Sequence, residues 1–106
     1  MAVEVRGTIA ANHPALAGHF PGDPIVPGAL ILCEVLRAAR QAMGGDFVPA
    51  AIPLARFHAP LRPSEPFVCT IERLDAATFR YQLKREATLI ASGTMQATPR
   101  APKIAP

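Results

Sequence analysis

A chain of 106 residues with a net charge of +3 suits one domain with a single core and excludes two domains. Half of the residues are hydrophobic and 18% are charged, which excludes a disordered chain and predicts apolar surface that a homodimer would cover. The mild positive charge is compatible with an acidic partner, but no Lys/Arg cluster interleaved with aromatic residues indicates nucleic-acid binding.

No segment of the sequence predicts export or membrane insertion. Glu4 and Arg6 interrupt any apolar run at the N-terminus, and the uncharged, mostly apolar stretch at residues 24–33 is too short to cross a bilayer. Cys33 and Cys69 form neither a disulfide framework nor a CxxC pair, which indicates reduced thiols in a cytoplasmic protein. The histidines and cysteines show no metal-ligand spacing, so we expect neither a metal nor another cofactor.

The first predicted elements are a strand and a helix. Apolar residues alternate with polar ones over residues 3–9, which predicts a half-buried strand that ends before Pro14. Apolar residues then recur at helical spacing over residues 28–43, and Gly44 and Gly45 predict the stop.

Four further strands, joined by short turns, are predicted at residues 52–61, 67–74, 78–85 and 89–97. Their predicted inward-facing residues are Phe67, Cys69 and Ile71, then Phe79, Tyr81 and Leu83, then Leu89, Ala91, Gly93, Met95 and Ala97. Residues 99–106 contain three prolines and are expected to lie loosely on the surface.

This order of elements predicts an α+β domain whose antiparallel sheet wraps around the helix, because the helix is the main apolar element available to cover the sheet. An open α/β sandwich of another topology is the alternative, since the order of the strands in the sheet does not follow from the sequence.

The loop before the helix, residues 18–28, contains His19 among glycines and prolines. Its three prolines fix φ near −65° and exclude a central strand, while Gly22 and Gly28 permit tight bends and the close approach of another group. Imidazole titrates near neutral pH, and a helix N-terminus offers unpaired N–H groups with partial positive charge. The loop and the helix start therefore predict a catalytic site.

The stretch GHFPGDPIVPG, residues 18–28, resembles the signature G-H-F-P-G-x-P-x-x-P-G of the bacterial 3-hydroxyacyl-[acyl-carrier-protein] dehydratases at every fixed position. The later segment RFHAPLRPSEPF is also similar, so the resemblance extends over most of the chain. It implies a single hot-dog domain over residues 1–106, with a hydro-lyase activity in fatty-acid or related acyl-chain biosynthesis. It also implies an acyl thioester substrate on acyl carrier protein or coenzyme A, and a homodimer or higher homo-oligomer.

The resemblance assigns roles to the residues of this loop. It implies that His19 removes the α-proton of the substrate and that the backbone N–H of Gly28 meets the developing oxyanion. Phe20 and Gly22 belong to the same substrate-binding loop. The alternative for His19 is a structural loop histidine packed against proline and Phe20.

One position departs from the family pattern. The family has a catalytic Asp or Glu fourteen residues after the histidine, where this chain has Cys33, followed by Glu34. Glu34 is a candidate for the missing acid, or it forms an i,i+3 pair with Arg37. Cys33 is predicted to lie at the edge of the polar arc of the helix. It is expected to be a small packing residue, and a role as a nucleophile is the less favoured alternative. The departure leaves a second function open, that of a hot-dog domain that binds an acyl chain or carrier protein without catalysis.

The remaining candidates are less specific. His13 and His58 match no catalytic position and are expected to be structural or exposed. Arg56 and Arg62 are candidates to hold a phosphopantetheine arm or an acidic carrier helix, or they are solvated charges at strand edges. A hot-dog thioesterase is a third, weaker option, because the H-F-P-G loop is not typical of those families.

Overall fold

A computed structural model of the chain describes residues 2–16, 25–44 and 48–98. The elements in these ranges are β1 (Ala2–Gly7), a 3-10 helix (Pro14–Leu16), α1 (Gly28–Met43), β2 (Val48–Phe57), β3 (Phe67–Arg73), β4 (Thr78–Arg85) and β5 (Thr88–Thr98). The strands form one five-stranded antiparallel sheet in the order β1-β3-β4-β5-β2. The predicted α+β architecture is therefore confirmed. The predicted tail at residues 99–106 lies outside the described residues.

The helix α1 has the predicted bounds. Its buried side chains lie at i, i+4, i+7 and i+8, the spacing of one helix face: Ile31, Val35, Ala38 and Ala39. Gly44 ends the helix with a φ of 82°, a conformation that favours glycine, and its N–H donates to the carbonyl oxygen of Arg40 at 2.8 Å. The second predicted stop residue, Gly45, lies outside the described residues.

The sheet and the helix share one apolar core. The predicted inward-facing residues of β3 and β4 are all at most 2% exposed: Phe67, Cys69, Ile71, Phe79, Tyr81 and Leu83. No polar or charged side chain is buried in the part of the chain that the structure describes. The strict alternation of apolar and polar residues in β3 and β4 thus predicted their core residues correctly.

A β-bulge alters the inward face of β5. Leu83 pairs with Ala91 and the next residue of β4 pairs with Leu89, so Ile90 is an extra residue between the two pairs. Ile90 and Ala91 are consequently both buried, whereas Leu89 is only partly buried. The period-two prediction missed Ile90 but located Gly93 and Met95 correctly.

Two strand boundaries differ from the predictions. β1 ends at Gly7, and Ile9 is buried beyond it, where its carbonyl oxygen accepts the N–H of Ser64 at 2.7 Å. β2 lies four residues earlier than predicted at both ends. It is an edge strand with two irregularities in its pairing with β5, and an edge position tolerates the prolines that it contains.

Gly93 allows a contact that links the core to the edge strand β2. The hydroxyl of Tyr81 donates to the carbonyl oxygen of Leu54 at 3.1 Å, and burial raises the pKa of Tyr81, which keeps the hydroxyl protonated as a donor. A Cβ added at Gly93 would lie 1.9 Å from that carbonyl oxygen and 2.6 Å from the Tyr81 hydroxyl oxygen. Only glycine therefore fits between β2 and β4 at this position.

Candidate active site

Only some of the first backbone N–H groups of α1 find an acceptor in the part of the chain that the structure describes. The N–H groups of Leu30 and Ile31 both donate to the carbonyl oxygen of Pro27, at 3.0 and 3.1 Å. Pro27 provides no side-chain cap, so the N–H groups of Gly28 and Ala29 have no acceptor among the described residues. Such groups carry partial positive charge and can stabilise a negatively charged oxygen within hydrogen-bond distance.

An apolar cavity of about 360 Å³ opens beside this helix end. It is lined by Ile25, Val26, Gly28, Ile31, Phe57, His58, Ala59 and Pro60. The N–H of Val26 donates to the carbonyl oxygen of Leu61 at 2.8 Å, which joins the segment before the helix to the segment after β2. Ligand pockets in proteins span roughly 300–1,000 Å³, so the cavity is large enough for a small ligand.

The ring of Phe57 closes one side of the helix end. A Cβ added at Gly28 would lie 2.9 Å from Cζ of Phe57, so the ring rests against the backbone of Gly28. This confirms that Gly28 permits the close approach of another group. The sequence did not reveal Phe57 as a wall of the site, because its position depends on how β2 pairs with β5.

The next residue, His58, forms two hydrogen bonds with β5. Its backbone N–H donates to the carbonyl oxygen of Ile90 at 2.8 Å, and its Nε2 shares a hydrogen bond of 2.8 Å with Oγ of Ser92. The predicted exposure of His58 is confirmed. These bonds fix the chain immediately after Phe57 against the sheet.

The predicted loop residues His19, Phe20 and Gly22 lie outside the described residues, and their roles stay predictions. The described chain resumes at Ile25, which lines the cavity beside Gly28.

Glu34 and Arg37 form the predicted i,i+3 pair. Nε of Arg37 donates to Oε2 of Glu34 at 3.1 Å, and the Glu34 side chain is only 16% exposed. The Arg37 guanidinium also approaches β1, since its Nη2 lies 2.6 Å from a Cβ added at Gly7. Donating a proton from the Glu34 carboxyl group would first require breaking this ion pair.

The two cysteines have free thiols in contrasting surroundings. Cys33 is exposed, which confirms its predicted place at the polar edge of the helix. Cys69 is buried in the core, and desolvation raises its pKa to about 12, although the nearby Arg37 acts in the opposite direction. The thiolate is the reactive form of cysteine, so Cys69 is inert near neutral pH.

We therefore expect iodoacetamide at neutral pH to alkylate one cysteine of the folded protein, at Cys33, and both cysteines after unfolding. Mass spectrometry of the labelled protein measures this directly. The Cys33→Ser variant should take up no label while folded. Labelling of Cys69 in that variant under native conditions would contradict the burial described above.

A larger cavity of about 620 Å³ lies elsewhere, between the ends of β1, β3 and β4. Charged residues surround it, among them Arg6, Arg85 and Glu86, and Nη1 of Arg85 pairs with Oε1 of Glu65 at 3.1 Å. It touches neither the helix N-terminus nor any predicted site residue, so the smaller cavity is the candidate active site.

Three of the less specific candidates are not among the residues that line the cavity. Arg56 is an exposed residue of β2 that pairs with Ser92 in the register of the sheet, and Arg62 is exposed in the turn before β3. His13 is partly exposed beside the 3-10 helix. In the three described ranges, no cluster of His, Cys, Asp and Glu has a metal-binding arrangement, and no helix is long and apolar enough to span a membrane.

One long helix packed with a five-stranded antiparallel sheet is the architecture of the hot-dog class. The dehydratase heterocomplex ApeI:P from Xenorhabdus doucetiae has this fold, with a TM-score of 0.77 and 16% identity over 91% of this chain and 86% of that one. The fluoroacetyl-CoA thioesterase FlK is also similar, with a TM-score of 0.72 and 15% identity over 92% and 84% of the two chains. At these identities the likeness concerns the fold alone.

The chain belongs to the ApeI-like dehydratase family, whose sequence model matches residues 1–94. It is similar to the 3-hydroxyacyl-[acyl-carrier-protein] dehydratase FabZ of Blochmanniella floridana, with 40% identity over 60% of this chain and 48% of that protein. The FabZ of Sodalis glossinidius is 31% identical over 82% of this chain and 66% of its own length. The chain thus spans about half to two thirds of these relatives. The resemblance to the dehydratases is confirmed.

Proposed function

We propose that this protein is a hydro-lyase that dehydrates 3-hydroxyacyl thioesters in fatty-acid or related acyl-chain biosynthesis. The observation that carries the proposal is the pair of N–H groups at Gly28 and Ala29, which have no acceptor among the described residues, at a helix end where Gly28 lines an apolar cavity. The family and its FabZ relatives support the same chemistry. The acyl group is carried as a thioester of acyl carrier protein or coenzyme A, and no cofactor takes part.

In the proposed reaction, His19 takes a proton from the α-carbon of the substrate. Negative charge then develops on the thioester oxygen, where the N–H of Gly28 stabilises it, and the 3-hydroxyl leaves as water after gaining a proton. The products are a 2-enoyl thioester and water, with the thioester bond intact. Phe20 and Gly22 are proposed to shape the loop that holds the substrate.

A turnover assay with 3-hydroxybutyryl and 3-hydroxydecanoyl thioesters tests this function. We expect the absorbance of the conjugated 2-enoyl thioester to rise without release of free thiol. Release of thiol instead would favour a hot-dog thioesterase, a fold relative of which is FlK. Binding without either product would favour the alternative, a domain that binds an acyl chain or carrier protein without catalysis.

The acid that protonates the leaving hydroxyl is proposed to be weak in this chain. The resemblance places Cys33 at the acid position, and Glu34 is held by Arg37. A thiol has a weak S–H donor and an ordinary pKa near 8.5, which suits it poorly to this role. Cys33→Asp should therefore raise the dehydration rate at least about tenfold, part of the roughly 10²–10⁴-fold that a positioned acid supplies.

Glu34→Gln is the matched control for that prediction, because it removes the neighbouring carboxylate without adding one at position 33. We expect it to change the rate by less than about threefold, since its carboxylate is held by Arg37 in a partly buried i,i+3 pair of modest strength. Loss of turnover in Glu34→Gln, with Cys33→Ala unaffected, would show that Glu34 is the acid.

We also propose a homodimer that forms through the outer edge of β2, with the His19 loop near the interface. β2 pairs only with β5 among the described strands, and its apolar residues Val48, Leu54 and Phe57 are 40–50% exposed. An unpaired apolar strand edge favours pairing with the same edge of a second copy.

Sedimentation should show a dimer at micromolar concentration, and Leu54→Lys should weaken it. The matched control is Leu74→Lys, which changes an equally exposed leucine away from β2. A monomer in the unmodified protein, or equal effects of both variants, would contradict the proposed interface.

We also propose a location for this protein and a role for one arginine in binding the partner. We propose a cytoplasmic location for this single domain, supported by its two free thiols. Arg56, exposed on β2 near the cavity wall, is proposed to contact the phosphopantetheine arm or an acidic carrier surface.

A further inference from the structure

We propose that Phe57 is the specificity-determining residue of this site and that its ring restricts the acyl group to a short chain. The inference deepens the proposed function and rests on it for the identity of the substrate.

The position of the ring carries the argument. Phe57 lies against the backbone of Gly28, whose N–H has no acceptor in the described part of the chain, and lines the 360 Å³ cavity at the same time. An acyl thioester with its oxygen at the helix end and its chain in this cavity would extend along this ring. The cavity volume is near the lower end of the usual range for ligand pockets, which favours a small acyl group.

Hydrogen bonds hold the backbone on both sides of Phe57, so the ring forms a fixed wall of the cavity. On one side, His58 bonds to Ile90 and Ser92 of β5. On the other side, the carbonyl oxygen of Leu54 accepts the hydroxyl of Tyr81. Phe57 is half exposed, and its partner in the sheet register is the small residue Ala91.

Removing the ring should enlarge the cavity without disturbing the core, because Phe57 is not one of the buried core residues. Each added methylene that becomes buried strengthens binding by about fourfold, from roughly 0.8 kcal/mol per methylene. In the unmodified protein, the gain in affinity per added methylene should stop once the acyl chain exceeds a short length. In Phe57→Ala, the affinity should continue to rise as the chain grows longer.

The test measures the affinity of saturated butyryl and decanoyl pantetheine thioesters, together with kcat/KM for the corresponding 3-hydroxyacyl thioesters. We expect Phe57→Ala to raise the decanoyl-to-butyryl ratio at least about tenfold in both readouts, given the gain per methylene. Leu74→Ala, which trims an equally exposed side chain outside the cavity, should leave the ratio unchanged. Phe57→Leu retains an apolar wall and should give an intermediate ratio.

An unchanged ratio in Phe57→Ala overturns the inference, as does an equal loss of both ligands in Phe57→Ala and Phe57→Leu. If the unmodified protein binds these thioesters but dehydrates neither substrate, the proposed dehydratase function fails. The affinity ratios of the saturated thioesters still decide the inference in that case.

Discussion

Gly93→Ala should be the most damaging conservative substitution in the sheet. The new Cβ would lie 1.9 Å from the carbonyl oxygen of Leu54, a backbone atom that cannot move aside without shifting β2. It would also displace the Tyr81 hydroxyl from that carbonyl. Overpacking plus a lost buried hydrogen bond should cost about 3 kcal/mol or more, a large share of the roughly 5–15 kcal/mol that stabilises a typical domain.

Thermal unfolding measures this effect, and the expected fall in Tm is more than about 10 °C for a domain of this size. Thr94→Ala is the matched control, because it changes the next residue of β5 on the opposite face of the strand. We expect that variant to unfold within a few degrees of the unmodified protein. Similar Tm values for Gly93→Ala and Thr94→Ala would show that β2 does not approach β4 as closely as described.

His19→Ala should have the largest effect on the reaction. A general base contributes on the order of 10²–10⁴-fold to a proton transfer, so kcat for dehydration should fall by that factor. The rate of 2-enoyl thioester formation measures it, with protein folding checked by circular dichroism. The affinity for a saturated acyl thioester should change little, because the N–H groups of Gly28 and Ala29 and the apolar cavity are retained.

His13→Gln is the control for this variant, since it removes a second histidine in the segment between β1 and α1. We expect it to retain at least about half of the rate, because a surface substitution away from the site seldom disturbs a fold by more than about 0.5 kcal/mol. An equal loss of rate in both variants would remove His19 from the mechanism.

The elements that the sequence predicted well are those with an unbroken local pattern. Helix α1 shows a clear apolar face and ends at Gly44, and β3 and β4 alternate strictly, so their buried residues follow from their positions. The bulge at Ile90 and the bounds of β2 were not predictable, because both depend on pairing between strands that are distant in the sequence.

The predictions for the candidate site divide in the same way, into local features that were predicted and a contact between distant residues that was not. The sequence identified Gly28 as a point of close approach, because glycine has no Cβ and lets another group come near its backbone. It did not identify Phe57 as the group that approaches, since that contact requires the end of β2 to meet the start of α1 across the fold. The ion pair of Glu34 with Arg37 was predictable, as helix geometry alone brings residues three apart together.

Hydration of a 2-enoyl thioester in D₂O tests the central claim most directly, because one product reports the reaction type and the fate of the thioester. The account predicts an intact 3-hydroxyacyl thioester with one deuterium on its α-carbon, formed by the unmodified protein and not by His19→Ala. Free thiol with an unchanged enoyl acid, or no reaction in the unmodified protein, would contradict it.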